Sequence, residues 1–172
     1  MLLTLETERL ILRPFEENDA KAMFDMWASD EEVTKFLTWN AHRSIEDTKN
    51  ILNIWIKQYE KLERINCAIV LKENNVLIGG IDVVGYLDKV PVIGYAISRK
   101  YWNKGYVTEA CMCLLDFLFS LGYEKVRIDA ARENIESNKV IQKCGGKLIN
   151  TIEDSIKNTK RVINQYEVYR NN

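Results

Sequence analysis

The sequence predicts a single mixed α/β domain built on a twisted mixed sheet flanked by helices, and three observations carry that reading. At 172 residues, 47% hydrophobic and 28% charged, the chain buries one core without dividing in two. Strand-like and helix-like patterns follow one another along it as three strands in close succession, a strand–helix–strand unit, a helix and a terminal hairpin. No repeat, low-complexity tract or linker interrupts residues 1–172, so one domain spans them all.

Leu2 to Arg13 is rich in leucine, isoleucine and threonine and stops at Pro14, which predicts a first strand. Asn18 then suits the cap of a helix presenting Ala20, Met23, Phe24 and Trp27 on one face. Asp30 to Leu37 predicts a short second helix. Ser44 with Asp47 forms a capping box for a long third one, whose buried stripe is Ile51, Leu52, Trp55, Tyr59 and Leu62. Trp39 falls between helices in a segment without period, where large apolar side chains line pockets.

Asn66 to Leu71, Val76 to Tyr86 and Val90 to Ser98 predict an antiparallel meander, with Asn74-Asn75 and Leu87-Asp88-Lys89 as its turns. Gly79, Gly80 and Gly85 in the middle strand mark bulges or the close approach of another group. A helix follows with Cys111, Leu114, Leu115, Leu118 and Leu121 on its apolar face and Gly122 as its stop. Lys125 to Ala131 alternates as a strand, and Asn134 caps a helix that runs to Cys144 and stops at Gly145. Lys147 to Asp154 and Lys160 to Tyr169 close the chain as a hairpin around Lys157-Asn158-Thr159, which brings the strands to seven.

A net charge of −1 with both signs interspersed gives no support to nucleic acid or an anionic membrane as a partner. The N-terminus lacks a basic region followed by an apolar one, and no stretch approaches the roughly twenty apolar residues that cross a bilayer, so a cytoplasmic protein is expected. Cys67, Cys111, Cys113 and Cys144 form no C-x-x-C pair, and His42 stands alone, which predicts free thiols and no metal set.

Chemistry concentrates in YWNKGYVTEA, Tyr101 to Ala110. It lies between an apolar strand and a helix start, where unpaired amides and the positive end of a helix dipole meet an anion. Gly105 permits close approach, and Lys104 and Lys100 add positive charge. No G-x-G-x-x-G follows a strand, and Gly145-Gly146-Lys147 lacks the glycine that completes G-x-x-x-x-G-K, so dinucleotide and nucleoside-triphosphate cradles are excluded.

YWNKGYVTEA, preceded by IGYAIS and followed about thirty residues later by ENIESNKVIQKCGG, resembles the acetyl-CoA-binding core of the GNAT N-acetyltransferases. The opening TERLILRPF is similar to the first strand of their RimJ/RimL branch, which acetylates N-terminal amines of ribosomal proteins. The resemblance implies a sheet whose fourth and fifth strands splay apart to admit the pantetheine arm of acetyl-CoA. It implies backbone contacts from Ile97 and Ser98, and a pyrophosphate held on the amides of Asn103, Lys104, Gly105, Tyr106 and Val107. It places Ser137 near the cofactor sulfur as the proton donor to the departing thiolate, with Asn134 orienting the pantetheine or a nearby amide.

Four positions depart from the family pattern. Trp102, Asn103 and Val107 stand in the cradle where glutamine or arginine and small residues are usual, and Val92 replaces a glutamate common before IGY. The nearest carboxylate by topology is Asp82, a candidate base that strand alternation aims either at the site or at solvent. The expected acceptor is a protein or peptide N-terminal α-amine, with small-molecule amines and a CoA-binding module without turnover as alternatives, in either a monomer or a homodimer.

Overall fold

The leucine-rich opening forms two strands instead of one. In the computed structural model, which describes residues 4–61 and 64–170, β1 (Leu5–Glu6) and β2 (Leu10–Arg13) pair antiparallel across a turn. Thr7 makes that turn: its N–H donates to the Leu10 carbonyl at 3.0 Å and its Oγ1 accepts the Leu10 N–H at 2.9 Å. The sheet therefore has eight strands and not seven. Two positions used above, Leu2 and Leu62, lie outside the described residues.

β3 (Asn66–Leu71), β4 (Leu77–Leu87) and β5 (Val90–Ile97) form the expected meander, followed by β6 (Lys125–Ala131), β7 (Lys147–Ile156) and β8 (Thr159–Tyr169). The spatial order is β1-β2-β3-β4-β5-β6-β8-β7, and every pairing is antiparallel except β5 with β6. Paired positive φ angles at Asp88 and Lys89, and at Lys157 and Asn158, give both hairpins the turn sense that matches strand twist. β4 carries two bulges, one at Ile78 against β3, where the register passes from Ile69↔Gly79 to Val70↔Leu77, and one at Val84 against β5, where it passes from Val83↔Ile93 to Gly85↔Val92. It also carries one close approach, since a Cβ on Gly79 would stand 2.4 Å from the Ala96 carbonyl oxygen.

Asn18 is not the first cap. Its neighbour Asp19 accepts the Glu16 N–H at 2.8 Å and is gripped by Arg13 through two bonds of 2.7 and 2.9 Å, so a partner six residues upstream decided the cap. From there a 3₁₀ turn leads into α1 (Ala20–Met23), which widens into a π turn over Phe24–Ala28. The predicted second helix is a single turn, α2 (Glu31–Thr34), capped by Asp30. α3 (Ile45–Glu60) begins with the Ser44–Asp47 capping box. α4 (Tyr106–Ser120) and α5 (Ile135–Lys143) end before Gly122 and Gly145, at φ +97° and +83°. Leu121 leaves the apolar stripe: it sits at the C-cap and is 55% exposed, because the last turn has passed the sheet.

Each face of the sheet has its own core. Leu10, Leu12, Ile69, Ile81 and Ile93 pack with Leu114 and Leu118 of α4 and Ile141 of α5, while Ala68, Val70 and Leu77 pack with Phe15, Met23, Trp27 and Leu52. Trp55 joins the second core, its ring 5.1 Å from that of Phe15. All four cysteines are free, and no helix of the described residues is long and apolar enough to cross a membrane.

Asn138 fixes where α5 stands. Its Nδ2 donates to the carbonyls of Ala131 and Asn134 at 2.9 and 2.7 Å, and its Oδ1 accepts from Asn164 Nδ2 and the Tyr166 hydroxyl at 2.9 and 2.7 Å. Asn138→Ala leaves these buried groups unpaired and should lower stability by about 2–4 kcal/mol. Urea denaturation checks it: the midpoint falls while the slope stays that of the parent.

Candidate active site

The parallel pair is the shortest contact between neighbouring long strands. β5 and β6 register only at Val92↔Arg127 and Ile93↔Ile128, and beyond Ile93 the two strands separate. This is the expected splay. Ser98 donates its N–H to the Ile78 carbonyl at 2.9 Å and so turns toward β4. Antiparallel alternation then turns Gly94 and Ala96 toward β4 as well, and leaves the backbone groups of Tyr95 and Ile97 facing the gap. Of the two expected partners, Ile97 therefore faces the opening, with its carbonyl engaged by Trp102 Nε1 at 2.9 Å, while Ser98 is buried and spent within the sheet.

At the end of β5 the chain makes a 3₁₀ turn, Arg99–Tyr101, and enters the cradle. Asn103 and Gly105 both take positive φ, +58° and +79°, and the first intrahelical bond runs from Glu109 N–H to the Gly105 carbonyl at 3.0 Å. Gly105 is the N-cap and has no side chain to offer, so the amides of Tyr106, Val107 and Thr108 precede that bond unclaimed. Lys104 is exposed, its ammonium 5.4 Å from the centre of the Tyr101 ring.

Behind the cradle stands a network that sequence reasoning missed. Glu109 accepts from Thr7 Oγ1 at 2.5 Å, from the Arg9 N–H at 2.9 Å and from Arg9 Nε at 2.6 Å. Burial alone would raise the Glu109 carboxyl, but these bonds outweigh it and hold it below its usual range. The signal was present in TERL, quoted only as a resemblance.

Across the gap, Asn134 Oδ1 accepts the Ser137 N–H at 3.2 Å, and Ser137 Oγ lies 2.8 Å from the Tyr95 hydroxyl. The first contact is the cap expected from the sequence. The second joins β5 to α5 just where β5 and β6 have parted, and no sequence signal marked Tyr95. Burial pushes the Tyr95 phenol well above its ordinary value, with the Ser137 bond opposing, so it is a hydroxyl donor throughout the working pH range.

Asp82 lies on the opposite face. Tyr95 packs in the α4–α5 core and Ala96 in the other, so Gly94, two residues before Ala96, faces the α1–α3 side, and Asp82 is its cross-strand partner. Asn66, Asp82 and Gly94 thus form one row across three strands that ends at the gap. With no side chain on Gly94, the Val84 side chain folds over the end of that row, its Cγ1 2.7 Å from where a Cβ would sit, and Asp82 Oδ1 is 3.7 Å from the same point. Burial raises the Asp82 carboxyl to about 6, against the lowering effect of its ion pair with Arg64. Asn66 Nδ2 and Arg64 Nε are buried without an acceptor among the described residues. Val92 also faces the gap side, paired with Arg127 and carrying no charge.

Lys157, at the tip of the β7–β8 hairpin, donates to the carbonyls of Thr34 and Trp39 at 2.6 and 3.4 Å, tying the hairpin to the loop after α2. Burial and the neighbouring Arg161 hold its ammonium below the ordinary lysine value. A cleft of about 600 Å³ opens beside this bridge, lined by Glu31, Asn40, His42, Arg43 and Lys157 among others. Trp39 packs against the second core, so its side chain helps seat the loop and Asn40 begins the cleft lining. His42 Nδ1 meets buried Thr48 Oγ1 at 2.7 Å, and burial lowers its pKa.

A splayed parallel pair, an amide cradle at the following helix and a hydroxyl pair across the gap define an acyl-transferring enzyme. A family model described as "Acetyltransferase (GNAT) domain" matches residues 9–147, and the chain belongs to that family. It is 28% identical over 166 residues to the uncharacterized N-acetyltransferase p20 of Bacillus licheniformis, covering 95% of this chain and 93% of p20. A GNAT acetyltransferase from Bacillus anthracis superposes with a TM-score of 0.86 at 26% identity, over 97% of this chain and 98% of that one. RimL, a ribosomal alpha-N-protein acetyltransferase solved in complex with coenzyme A, superposes with a TM-score of 0.86 at 16% identity, over 97% and 98%, a likeness of fold.

Gly105→Glu places a carboxylate at the positive-φ cap where the cradle amides converge. It should abolish coenzyme A binding in a folded protein, because the charge opposes any phosphate there and the backbone is strained. Titration calorimetry reads it directly as loss of the binding isotherm.

Proposed function

We propose that the protein transfers the acetyl group of acetyl-CoA to the α-amine of a protein or peptide N-terminus. The observation that carries this reading is the arrangement about the gap, with a hydroxyl pair on one face, a carboxylate on the other and an amide cradle beside it. Acetyl-CoA lies on the α4–α5 side with its phosphates on the amides of Asn103 to Val107 and its pantetheine beside Tyr95 and Ile97. The amine arrives from the face that carries Asp82. Its nitrogen adds to the thioester carbonyl, and the tetrahedral intermediate collapses with cleavage of the C–S bond. Ser137 gives its proton to the thiolate and is resupplied by the Tyr95 hydroxyl, while the proton of the amine passes to Asp82, directly or through a water held by Asn66 and Arg64.

Proton affinity supports the α-amine. A base near 6 lies about two units below an α-ammonium and more than four below a lysine ammonium, and near pH 7 roughly one α-amine in ten is already neutral against fewer than one lysine in a thousand. The likeness to RimL points the same way as analogy of fold.

Ser137→Ala should lower turnover by about tenfold or more with acetyl-CoA affinity nearly intact, since the hydroxyl acts in the transition state. Steady-state kinetics with a separate binding titration tests it, and parallel losses in both would reduce Ser137 to a helix cap.

Mass spectrometry of peptides carrying a free N-terminus and an internal lysine should find the acetyl group on the N-terminus. Because Asp82 works ionised and the amine works neutral, kcat/KM should rise with pH in two steps, near 6 and near 8. Asp82→Asn should remove the lower step. Predominant lysine acetylation, or activity confined to polyamines or aminoglycosides, would sink the acceptor assignment.

A further inference from the structure

The turn between β1 and β2 is far from the gap, yet its polar groups converge on the cradle. Arg9 uses three sides of its guanidinium. Nε pairs with Glu109 Oε2 at 2.6 Å, Nη1 donates to the Lys104 carbonyl at 3.0 Å, and its central carbon lies 4.4 Å over the Tyr106 ring. Nη2 stands 3.4 Å from where a Cβ on Gly105 would project. Glu109 is held in turn by Thr7 Oγ1 and the Arg9 N–H, so the guanidinium cannot swing away without breaking a closed set of bonds.

The Lys104 carbonyl is the informative contact. It belongs to the same peptide plane as the Gly105 N–H, and in a trans peptide the two groups point in opposite directions. That plane lies between two positive-φ residues, Asn103 and Gly105, where no helix or strand ladder dictates its orientation. Drawing the carbonyl back onto Arg9 therefore aims the Gly105 N–H away from Arg9, to the side on which an anion meets the helix start.

We propose that Arg9 is a positioning residue for acetyl-CoA: anchored by Glu109 and Thr7, it holds the Lys104–Gly105 peptide with its N–H turned toward the coenzyme's diphosphate. The role rests on the reading that this cradle binds acetyl-CoA. It explains why an arginine sits in the first turn of the chain and a glutamate in the first turn of α4, 100 residues apart in sequence. It also requires arginine. A lysine keeps the charge, but its donors radiate from one atom and lack the planar fork that reaches Glu109 and the Lys104 carbonyl from separate nitrogens while lying over Tyr106.

The test is steady-state kinetics of Arg9→Ala, Arg9→Lys and Glu109→Gln with each substrate varied in turn, on proteins whose folded state is checked by circular dichroism. The KM for acetyl-CoA should rise about tenfold in Arg9→Ala, the equivalent of one hydrogen bond, with kcat and the acceptor KM within about twofold of the parent. Arg9→Lys should show nearly the same rise, and Glu109→Gln a smaller one. An unchanged acetyl-CoA KM in folded Arg9→Ala would overturn the proposal by leaving only a structural clamp. Full rescue by Arg9→Lys would overturn it in favour of simple charge attraction. If Arg9→Ala does not fold, Arg9→Lys decides alone, because it keeps the stem and the charge. Failure of the parent protein to show saturable dependence on acetyl-CoA would overturn the cofactor assignment instead, a result distinct from any of these.

Discussion

The molecule depends on a pairing that stops early. β5 and β6 are the one parallel pair in an otherwise antiparallel sheet, joined through two residue pairs before they diverge. Had they continued, the backbone groups of Tyr95 and Ile97 would be tied up in a ladder and both faces of the sheet would be sealed from each other. Divergence leaves those groups out of a ladder, with the Ile97 carbonyl taken by Trp102 Nε1, and parts the sheet between two separately packed cores. The crossover from β5 to β6 is α4, so the helix start that holds the cradle is placed at the mouth of the passage by the same connection that makes the pair parallel.

Each side of the passage is braced from a distant part of the chain. Asn138 locks α5 to β8 and to the end of β6, which sets the height at which Ser137 meets Tyr95. On the other face, the Asn66–Asp82–Gly94 row runs across three strands, and its last member is a glycine whose space is taken by the Val84 side chain. A carboxylate on β4 thereby reaches a position that Val92 on β5 leaves without charge. The ion pair with Arg64 tempers the cost of burying Asp82 without cancelling it, which leaves that carboxyl able to change state near neutrality.

Local chemistry was legible in the sequence, and distant partnership was not. The Ser44–Asp47 box, the Asn134 cap, the glycine stops and both hairpin turns are decided within a few residues, and each stands where the pattern put it. The break after Glu6 was hidden because the turn at Thr7 is completed by Glu109, and Asp19 displaced Asn18 as the cap because Arg13 was there to pair with it. Leu121 fits the helical period but lies past the sheet it was expected to cover. Near the gap, the strand–glycine–helix pattern singled out Gly105 and the resemblance Ser137 and Ile97, whereas Tyr95 and Arg9 are held by contacts that no spacing encodes. Strand alternation alone left two directions open for Asp82, and its place in a row with Asn66 and Gly94 supplied the choice.

The bridge from Lys157 to the Thr34 and Trp39 carbonyls has its own bearing on the cleft beside it. A molecule that lifts the hairpin tip strips the Trp39 carbonyl of this donor and leaves the Thr34 carbonyl with the Leu37 N–H alone, so balance returns only if the newcomer brings donors of its own. A polypeptide carries one at nearly every residue, regularly spaced along an extended strand, and a bare hydrocarbon carries none. Opening the latch is therefore an exchange of like for like, in which a guest with main-chain donors replaces what the lysine gave up and a bare hydrocarbon does not.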